Sequence, residues 1–485
     1  MDTFISIGKI ILTILEVVLL FNLMILVHEL GHFWAARWRG LKVERFQIWF
    51  GKPIWKKKIN GVQWGLGWLP FGGFVALPQM APMEAIEGGN KEAREELPSV
   101  SPLDKIFVAV AGPVFSLLLA VVLAVVVWQV GTPSYAREKT TIVGGVDRDW
   151  AGAEFVNVGD QILKVNDVAV NAWFGANNSV TSEVAFSEGP TVNLALRSPE
   201  GVERVVTVPV AEREDVGITE RGMVRNLPIG AAANAIVGSV IPDSPAHRAG
   251  LKTKDLIKSI EGTPIEFNYQ VSDFVESNDG KPLEMVVARE VEGVVKDVNV
   301  TVTPLRPLPV AGAKPEDMPN RPMLGIGWGI GEKVIEYPTV GHQIKDSALA
   351  IFRMLGALIS SKSDIGVKDM SGPLMIGNAF YVMFADDGWQ KALWFAVLIN
   401  VNLAILNMMP LPVLDGGHIV LAIGEWIRKK PVSGRFLEVV QTAFALALLS
   451  LMAYVTILDG RSMFGGGGGG GELKFPPATE VRSAE

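Results

Sequence analysis

Four segments of the chain are apolar and long enough to cross a membrane as helices, and this pattern constrains the fold more than any other feature. They cover residues 7–36, 106–130, 393–414 and 437–458, each near or above the roughly 20 residues that a spanning helix needs. The first is too long for the apolar core of a secretory signal and lacks a small-residue cleavage site, so we expect it to be retained. Because 20% of the residues are charged, sizeable water-facing domains must accompany the spans.

Basic residues orient these spans. They cluster in the connection between the first and second spans and in the connection between the third and fourth. The basic residues are Arg37, Arg39, Lys42, Arg45, Lys52, Lys56, Lys57, Lys58, Arg428, Lys429, Lys430 and Arg435. The positive-inside rule places both connections in the cytoplasm. The N-terminus, residues 131–390 and the C-terminus are then expected on the extracytoplasmic side.

The connection after the first span has a strand-like pattern. Residues 41–80 alternate apolar and polar positions between glycines, which predicts strands and hairpins. The aromatic density of residues 62–74 indicates a β region that dips into the membrane interface, and a cytosolic β-loop is the alternative. Residues 84–97 are highly charged and are predicted to form a mobile loop.

The extracytoplasmic segment contains a weak internal repeat. Residues 243–262 are echoed by residues 150–167, which predicts two copies of one module. The second copy resembles the PDZ family, whose domains bind peptides by adding a strand to a sheet edge. We interpret His247, in a turn of this copy, as a loop residue and not as a metal ligand. Residues 343–380 are predicted to form amphipathic helices on the outer face of the membrane.

The first span carries the pentapeptide His28-Glu29-Leu30-Gly31-His32. Two histidines four residues apart lie on one face of a helix, so both rings can reach one metal ion while the glutamate faces a water molecule. This spacing predicts a zinc-dependent hydrolytic site. The alternative is a chance set of polar residues, but ionisable groups inside a span are costly and are commonly functional. The chain has no Cys, so any metal must be held by His, Asp or Glu.

A catalytic zinc ion usually has three protein ligands, so one more must come from elsewhere in the chain. Asp415 is the candidate, because it lies at the end of the third span and the topology places it on the same cytoplasmic side as His28. Pro410 and Pro412 interrupt the helix just before it, which frees backbone groups that can bind an extended substrate. His418 is a competing ligand that we expect at the membrane interface instead. Zinc, and not another divalent metal, is inferred from the ligand types.

Together these motifs resemble the bacterial site-2 proteases of the RseP type, over nearly the whole chain to about residue 460. The resemblance rests on HELGH in the first span, AGP at residues 111–113, the two PDZ-like modules and NxxPxPxLDGG at residues 407–417. It implies that His28, His32 and Asp415 bind one Zn²⁺ per chain and that Glu29 is the general base. Asn407 would hold the substrate backbone or polarise its carbonyl group.

The same resemblance assigns roles around the hairpin and the second span. The hairpin at residues 65–74, with Gly72 and Gly73, would pair with the substrate as an added strand. The chain departs from the family in the second span, where Ser116 stands at a position that is often Asn. This departure leaves a polar role of that position in doubt.

The resemblance implies hydrolysis of a peptide bond within the transmembrane segment of a single-span substrate, such as an anti-sigma factor or a remnant signal peptide. Cleavage would take place in the lipid bilayer of the bacterial cytoplasmic (inner) membrane, after the substrate has been trimmed on the extracytoplasmic side. The PDZ-like modules would bind extracytoplasmic peptide ends. A catalytically silent PDZ scaffold and a zinc transporter are the alternatives. The scaffold does not explain Glu29, and a transporter calls for more polar spans and internal symmetry. A net charge of −7 gives no indication of a nucleic-acid partner.

The expected fold is a multi-pass α-helical membrane protein with four transmembrane helices, a membrane-associated β-hairpin region and two extracytoplasmic PDZ-like α+β domains. The expected segments are 1–40 (first span), 41–100 (β region and acidic loop), 101–131 (second span), 132–222 and 223–308 (PDZ-like domains), 309–390 (linker and amphipathic helices), 391–420 (third span), 421–436 (cytoplasmic loop), 437–460 (fourth span) and 461–485 (tail). The tail has seven consecutive glycines at 465–471, which favours a linker or an expression scar over a domain.

Overall fold

A computed structural model of the chain describes residues 2–80, 100–147, 149–211, 225–278, 280–308, 321–430, 432–464 and 475–476. The charged stretch 84–97, predicted as a loop, and the glycine run 465–471, predicted as a linker, lie outside the described residues.

The helices follow one another from the N-terminal span to the last one. In chain order they are α1 (Asp2–Trp38), α2 (Pro102–Val130), α3 (Ala136–Lys139), α4 (Val180–Ala185), α5 (Pro245–Arg248), α6 (Asn268–Ser277), α7 (Val340–Ile359), α8 (Pro373–Val382), α9 (Trp389–Asn407), α10 (Asp415–Arg428) and α11 (Gly434–Phe464). A 3-10 turn (Val367–Asp369) precedes α8 and a π-helical turn (Met383–Asp387) follows it. Helices α7 and α8 occupy the segment that the sequence predicted as amphipathic helices.

The strands fall between α1 and α7. In chain order they are β1 (Arg45–Ile59), β2 (Val62–Ala76), β3 (Thr132–Tyr135), β4 (Val143–Val146), β5 (Gln161–Val165), β6 (Val168–Ala169), β7 (Thr191–Arg197), β8 (Glu203–Pro209), β9 (Ile229–Ala231), β10 (Val237–Val240), β11 (Leu256–Ile260), β12 (Thr263–Pro264), β13 (Leu283–Val291), β14 (Val294–Val302), β15 (Ile326–Trp328) and β16 (Lys333–Glu336).

Within the described residues, four helices are long and apolar enough to cross a membrane. The segments are Gly8–Trp38, Pro102–Val130, Trp389–Asn407 and Phe436–Met463. These correspond to the four apolar segments of the sequence analysis.

The third of these helices ends earlier than expected. We predicted one apolar helix over residues 393–414, but α9 ends at Asn407 and residues 408–414 form a loop before α10. Pro410 and Pro412 account for the difference, because proline lacks the amide hydrogen of a helical residue and clashes with the preceding turn. Asp415 is therefore the first residue of a separate helix and does not lie on the third span.

The chain divides into two compact units, which we describe separately. The first comprises Met1–Pro133, Glu336–Gly356 and Val367–Met463. Its helices pack through small side chains, and Ala120 and Ala124 of α2 and Ala392 and Ala396 of α9 are buried in one apolar cluster. Small residues at such contacts let helix backbones approach closely, which favours helix association in membranes.

In the same unit, β1 and β2 form one antiparallel ribbon that folds back on itself. Residues 53–59 lie opposite residues 62–67, and residues 45–48 lie opposite both 63–66 and 73–76. Among the described residues, 73–76 thus have a strand partner on one side only. The ribbon packs on α1 through the buried Phe46, whose ring lies edge-on to that of Phe33 with the centroids 5.6 Å apart.

The second unit comprises Ser134–Ile335, Ala357–Gly366 and Phe464–Glu485, and it contains the two repeat copies. The first copy has a four-stranded sheet in the order β6-β5-β7-β8, and the second has one in the order β12-β11-β13-β14. Each copy adds a two-stranded pair, β4 with β9 and β10 with β15. Along the chain, α4 lies between β6 and β7 in the first copy, and α6 lies between β12 and β13 in the second. The copies share one topology, in agreement with the repeat in the sequence.

Each copy buries one aspartate just before a strand of its sheet. Asp160 and Asp255 are both buried, and each accepts a hydrogen bond from the backbone N–H three residues earlier, at 2.7 and 2.8 Å. Arg204 pairs with Asp160, and Arg289 pairs with Asp255 at 2.6 Å. The hydrogen bonds that the Arg289 guanidinium donates to Asp255 raise the pKa of this arginine. The repeated acidic residue therefore closes a turn in both copies, and a partly exposed arginine neutralises its buried carboxylate.

Candidate metal centre

The two histidines of the pentapeptide lie one turn apart on α1 and point to the same place. The Nε2 atoms of His28 and His32 are 3.3 Å apart. This is the arrangement that a four-residue spacing on a helix predicts.

Close packing of α1 on α2 shapes this face. A Cβ atom on Gly112 would overlap the ring of His32, and a Cβ atom on Gly31 would lie 2.5 Å from the carbonyl oxygen of Ala111. The glycines of HELGH and AGP thus let the two backbones approach and leave room for the imidazole.

The structure brings Asp415 to the two histidines. Its Oδ2 lies 3.4 Å from Nε2 of His28, and its Oδ1 lies 3.4 Å from Nε2 of His32. The loop 408–414 folds back on the start of α10, where Cβ atoms on Gly416 and Gly417 would overlap backbone atoms of that loop. The glycines of the LDGG motif are therefore required for the position of Asp415.

The three side chains fit a tetrahedral metal site. The Nε2 atoms are 3.3 Å apart, and each lies 3.4 Å from a different oxygen of Asp415, close to the separation of about 3.3–3.4 Å between atoms that lie about 2.0–2.1 Å from a tetrahedral zinc ion. The Oδ2 atom of Asp415 is buried and has no hydrogen-bond partner among the described residues. Such an atom is costly unless a cation satisfies it. Two imidazoles and a carboxylate are a common donor set for zinc.

The other nitrogen of each imidazole has its own partner on α2. Nδ1 of His32 lies 2.9 Å from the carbonyl oxygen of Val108, and Nδ1 of His28 lies 2.9 Å from the hydroxyl oxygen of Ser116. A carbonyl group only accepts, so Nδ1 of His32 donates and its Nε2 is left with a lone pair for a metal. The sequence did not predict the role of Val108, because every residue has a carbonyl group.

Ser116 occupies the position where the resemblance predicts Asn, so the sequence alone does not establish a polar role for it. The structure gives this serine a polar contact, because its fully buried side chain lies against Nδ1 of His28. Departure from the family residue therefore does not remove the polar group at this position.

A cavity of about 300 Å³ opens beside the three side chains. Glu29, Asn407, Gly72 and Gly73 line it together with the two histidines and Asp415. Glu29 lies next to the ribbon, since a Cβ atom on Gly73 would be 3.3 Å from its Cγ. Nδ2 of Asn407 is 3.4 Å from Nε2 of His28. The cavity therefore combines three side chains that could hold a metal ion, a carboxylate and a strand edge.

The remaining candidate residues lie elsewhere. Pro410 and Pro412 are in the loop before α10 and do not line this cavity. His418 lines it but is not part of the group of three close ligand atoms among the described residues. His247 lies in α5, where its Nδ1 accepts a hydrogen bond from the backbone N–H of Asp243 at 3.2 Å.

Comparison with known proteins identifies the family. The sequence profile of peptidase family M50 matches residues 16–451. A putative zinc metalloprotease of Neisseria meningitidis is 29% identical over 467 residues, which cover 92% of this chain and 98% of the relative. The regulator of sigma-E protease RseP of Escherichia coli K12 is 27% identical over 457 residues, covering 90% and 96%. The protease RseP of Yersinia pestis is 27% identical over 461 residues, with the same coverage.

These similarities confirm the resemblance inferred from the motifs, and with it the expectation of a zinc metalloprotease. The matched residues include α2, α9 and all three side chains of the metal-binding group. The chain belongs to peptidase family M50.

Proposed function

We propose that this protein hydrolyses a peptide bond within the transmembrane segment of a single-span membrane protein. The observation that carries the proposal is the cavity in which His28, His32 and Asp415 lie beside Glu29 and a strand edge. His28, Glu29 and His32 belong to a helix that is apolar enough to span a membrane, so the substrate bond must reach them inside or at the edge of the bilayer.

The roles of the site residues follow from their positions. His28, His32 and Asp415 would hold one Zn²⁺, which supplies Lewis-acid polarisation of a carbonyl oxygen and of water. Glu29 accepts the proton of the attacking water and returns it to the leaving amine. Ser116 and the carbonyl group of Val108 hold the imidazoles in orientation. Asn407, beside His28, donates to the substrate carbonyl or backbone.

The ribbon provides a place for an unwound substrate. A transmembrane helix hides its carbonyl groups in hydrogen bonds between residues four apart, so cleavage requires local unwinding. Residues 73–76 have a described strand partner on one side, and Gly72, Gly73, Phe74 and Val75 line the cavity. We propose that the substrate adds a strand at this edge, which offsets the cost of unwinding.

We also propose an orientation of the spans and of the two repeat copies in the membrane. Four spans would place the N-terminus, the C-terminus and both repeat copies on the extracytoplasmic side of a bacterial inner membrane. The copies would be PDZ-like domains that bind peptide ends of already trimmed substrates. Single cysteines at Lys57 and Lys296 of this Cys-free chain test the orientation, because an impermeant maleimide should label Lys296→Cys in intact cells and Lys57→Cys only after lysis. The reverse pattern would invert the topology.

The names of the relatives suggest a substrate class. Because several are proteases named as regulators of sigma E, we propose that a membrane-anchored anti-sigma factor, trimmed outside the membrane, is among the substrates. Remnant signal peptides present the same single apolar helix and are a second group.

The deciding experiment compares Glu29→Gln with Glu16→Gln, which changes another glutamate of the same helix. Each variant is co-expressed with a trimmed single-span reporter, and zinc is measured on the purified proteins. We expect Glu29→Gln to abolish cleavage while about one zinc per chain is retained, and Glu16→Gln to behave as wild type. Cleavage by Glu29→Gln would remove Glu29 as the base. Zinc without cleavage in every variant would favour a scaffold or a transporter.

A further inference from the structure

The C-terminal tail meets the second repeat copy at Phe475 and Pro476. Phe475 is only 6% exposed, although it lies beyond the end of α11 at Phe464. A phenylalanine in a tail beyond the last helix is exposed unless a surface receives it. The family match ends at residue 451, so the tail residues of this contact lie outside the matched part of the chain, whereas the surface that they contact lies within it.

Two contacts define the receiving surface, one apolar and one polar. The ring of Phe475 covers Gly325, where an added Cβ atom would lie 2.9 Å from its Cε2 and 2.9 Å from the hydroxyl oxygen of Ser244. Nη2 of Arg248 donates a hydrogen bond to the carbonyl oxygen of Pro476. Two adjacent residues of the tail thus contact the module, one through its apolar ring and the next through its backbone carbonyl group.

The module itself holds this surface in place. The backbone N–H of Ile241 donates to the carbonyl oxygen of Gly325, and that of Ala246 donates to the carbonyl oxygen of Leu324, both at 2.9 Å. Ser244 is fully buried and caps α5, and Arg248 ends the same helix. Gly325 has φ of +75°, a conformation that disfavours other residues. The surface is therefore built by residues 241–248 and 324–325, and the hydrogen bonds that join these two segments do not involve the tail.

We propose that Ser244, Arg248 and Gly325 form a binding site for a peptide with an aromatic residue followed by proline, and that residues 475–476 of the chain are its resident ligand. The proposal rests on contacts within the second unit and is independent of the proteolytic activity. A peptide from another protein with the same two residues would have to displace the tail before it binds.

The tail competes with an external peptide from within the same chain, and this covalent link determines how strongly it competes. Linking a ligand to its site through a short segment gives an effective concentration on the order of millimolar. If the free tail peptide binds with a Kd of about 0.1 mM, the tethered tail would fill the site about ten to one over an empty site. An external peptide would then bind wild type about tenfold more weakly than a chain whose tail is released.

Cross-linking in the full-length protein tests the contact. The chain has no cysteine, so Arg248→Cys with Pro476→Cys can be compared with Lys296→Cys with Pro476→Cys, which moves the first cysteine to an exposed lysine of β14. A short bismaleimide should join the first pair much faster than the second, seen as a shift in gel mobility. Equal rates would overturn the contact.

Peptide binding tests the site. Fluorescence anisotropy of a labelled peptide of residues 472–485 is measured with full-length wild type, Phe475→Ala and Phe475→Ala with Arg248→Ala. We expect Phe475→Ala to bind the peptide about tenfold more tightly than wild type, and the double variant to lose this gain, while Lys296→Ala in the Phe475→Ala background changes nothing. A peptide carrying Phe475→Ala should not bind. Equal affinity of wild type and Phe475→Ala, whether strong or undetectable, would overturn the tail as resident ligand.

Discussion

The Nδ1 atom of His28 lies 2.9 Å from the hydroxyl oxygen of Ser116, and both side chains are buried. The serine is on α2 and the histidine is on α1, so the hydrogen bond joins two helices that pack on each other. It also fixes the plane of an imidazole whose other nitrogen faces His32 and Asp415. In the proposed zinc site, a side chain that holds His28 in this way would contribute to metal affinity without touching the metal.

Replacing Ser116 with Ala should weaken zinc binding. Loss of such a hydrogen bond commonly lowers metal affinity by about 10- to 100-fold, which a competing chromophoric chelator would measure on the purified protein. Leu117→Ala is the matched control, because Leu117 is the next residue of α2 and is 40% exposed. Equal zinc retention by the two variants would show that the serine does not position His28.

Gly112→Ala should disrupt the metal-binding group more severely. The added methyl group would overlap the ring of His32, so the imidazole must leave its position and zinc should be lost together with activity. Gly424→Ala on α10 is the control, since a Cβ atom there has no neighbour within 4 Å and alanine favours the helix by about 1 kcal/mol. Zinc analysis of both variants decides the point; a Gly112→Ala protein with a full complement of zinc would contradict it.

Gly73→Val should separate substrate binding from metal binding. Its Cβ atom would lie 3.0 Å from Cγ2 of Ile25 and 3.3 Å from Cγ of Glu29, which narrows the cavity without touching the three metal-binding side chains. We expect cleavage of the reporter to fall at least about tenfold, the loss that about 1.4 kcal/mol of transition-state stabilisation produces, with zinc unchanged. Unaltered cleavage would argue against an added substrate strand at this edge.

Arg289→Met should destabilise the second repeat copy. It leaves the carboxylate of Asp255, whose side chain is 1% exposed, without its charged partner, and breaking a buried pair costs about 3–5 kcal/mol. Lys258→Met, which removes the exposed pair with Asp297 in the same module, should change stability by about 1 kcal/mol or less. Protease sensitivity of this module during thermal unfolding would report the difference, and similar curves would count against a structural role for the buried pair.

Sequence patterns predicted those parts of the site that depend on local periodicity. The spacing of His28 and His32 determines their common face on any helix, and Asp415 followed from its motif and from the topology. The structure keeps the three together within 4.8 Å. Their assignment as zinc ligands, with Glu29 as base, stays a proposal that the variants above test.

Other parts depend on contacts between distant residues, and no local pattern encodes them. The carbonyl group of Val108 carries no residue-specific signal, and the clearance that His32 needs from Gly112 appears only when α1 and α2 pack. The prolines of the loop 408–414 predict a break, but apolar length alone predicts a third span that continues to residue 414. The ribbon was expected as hairpins, and its return at residues 73–76 arises from the long-range pairing with residues 45–48.

The position of Asp415 late in the chain determines when the three side chains can meet during synthesis. About 380 residues separate His32 from Asp415, and closing so long a chain segment costs little more entropy than closing a shorter one. The first span enters the membrane with two of the three donors, but the group stays incomplete until α10 has left the ribosome and folded against α2. If the proposed roles hold, a nascent chain would therefore carry Glu29 and both imidazoles into the membrane before its zinc site is complete.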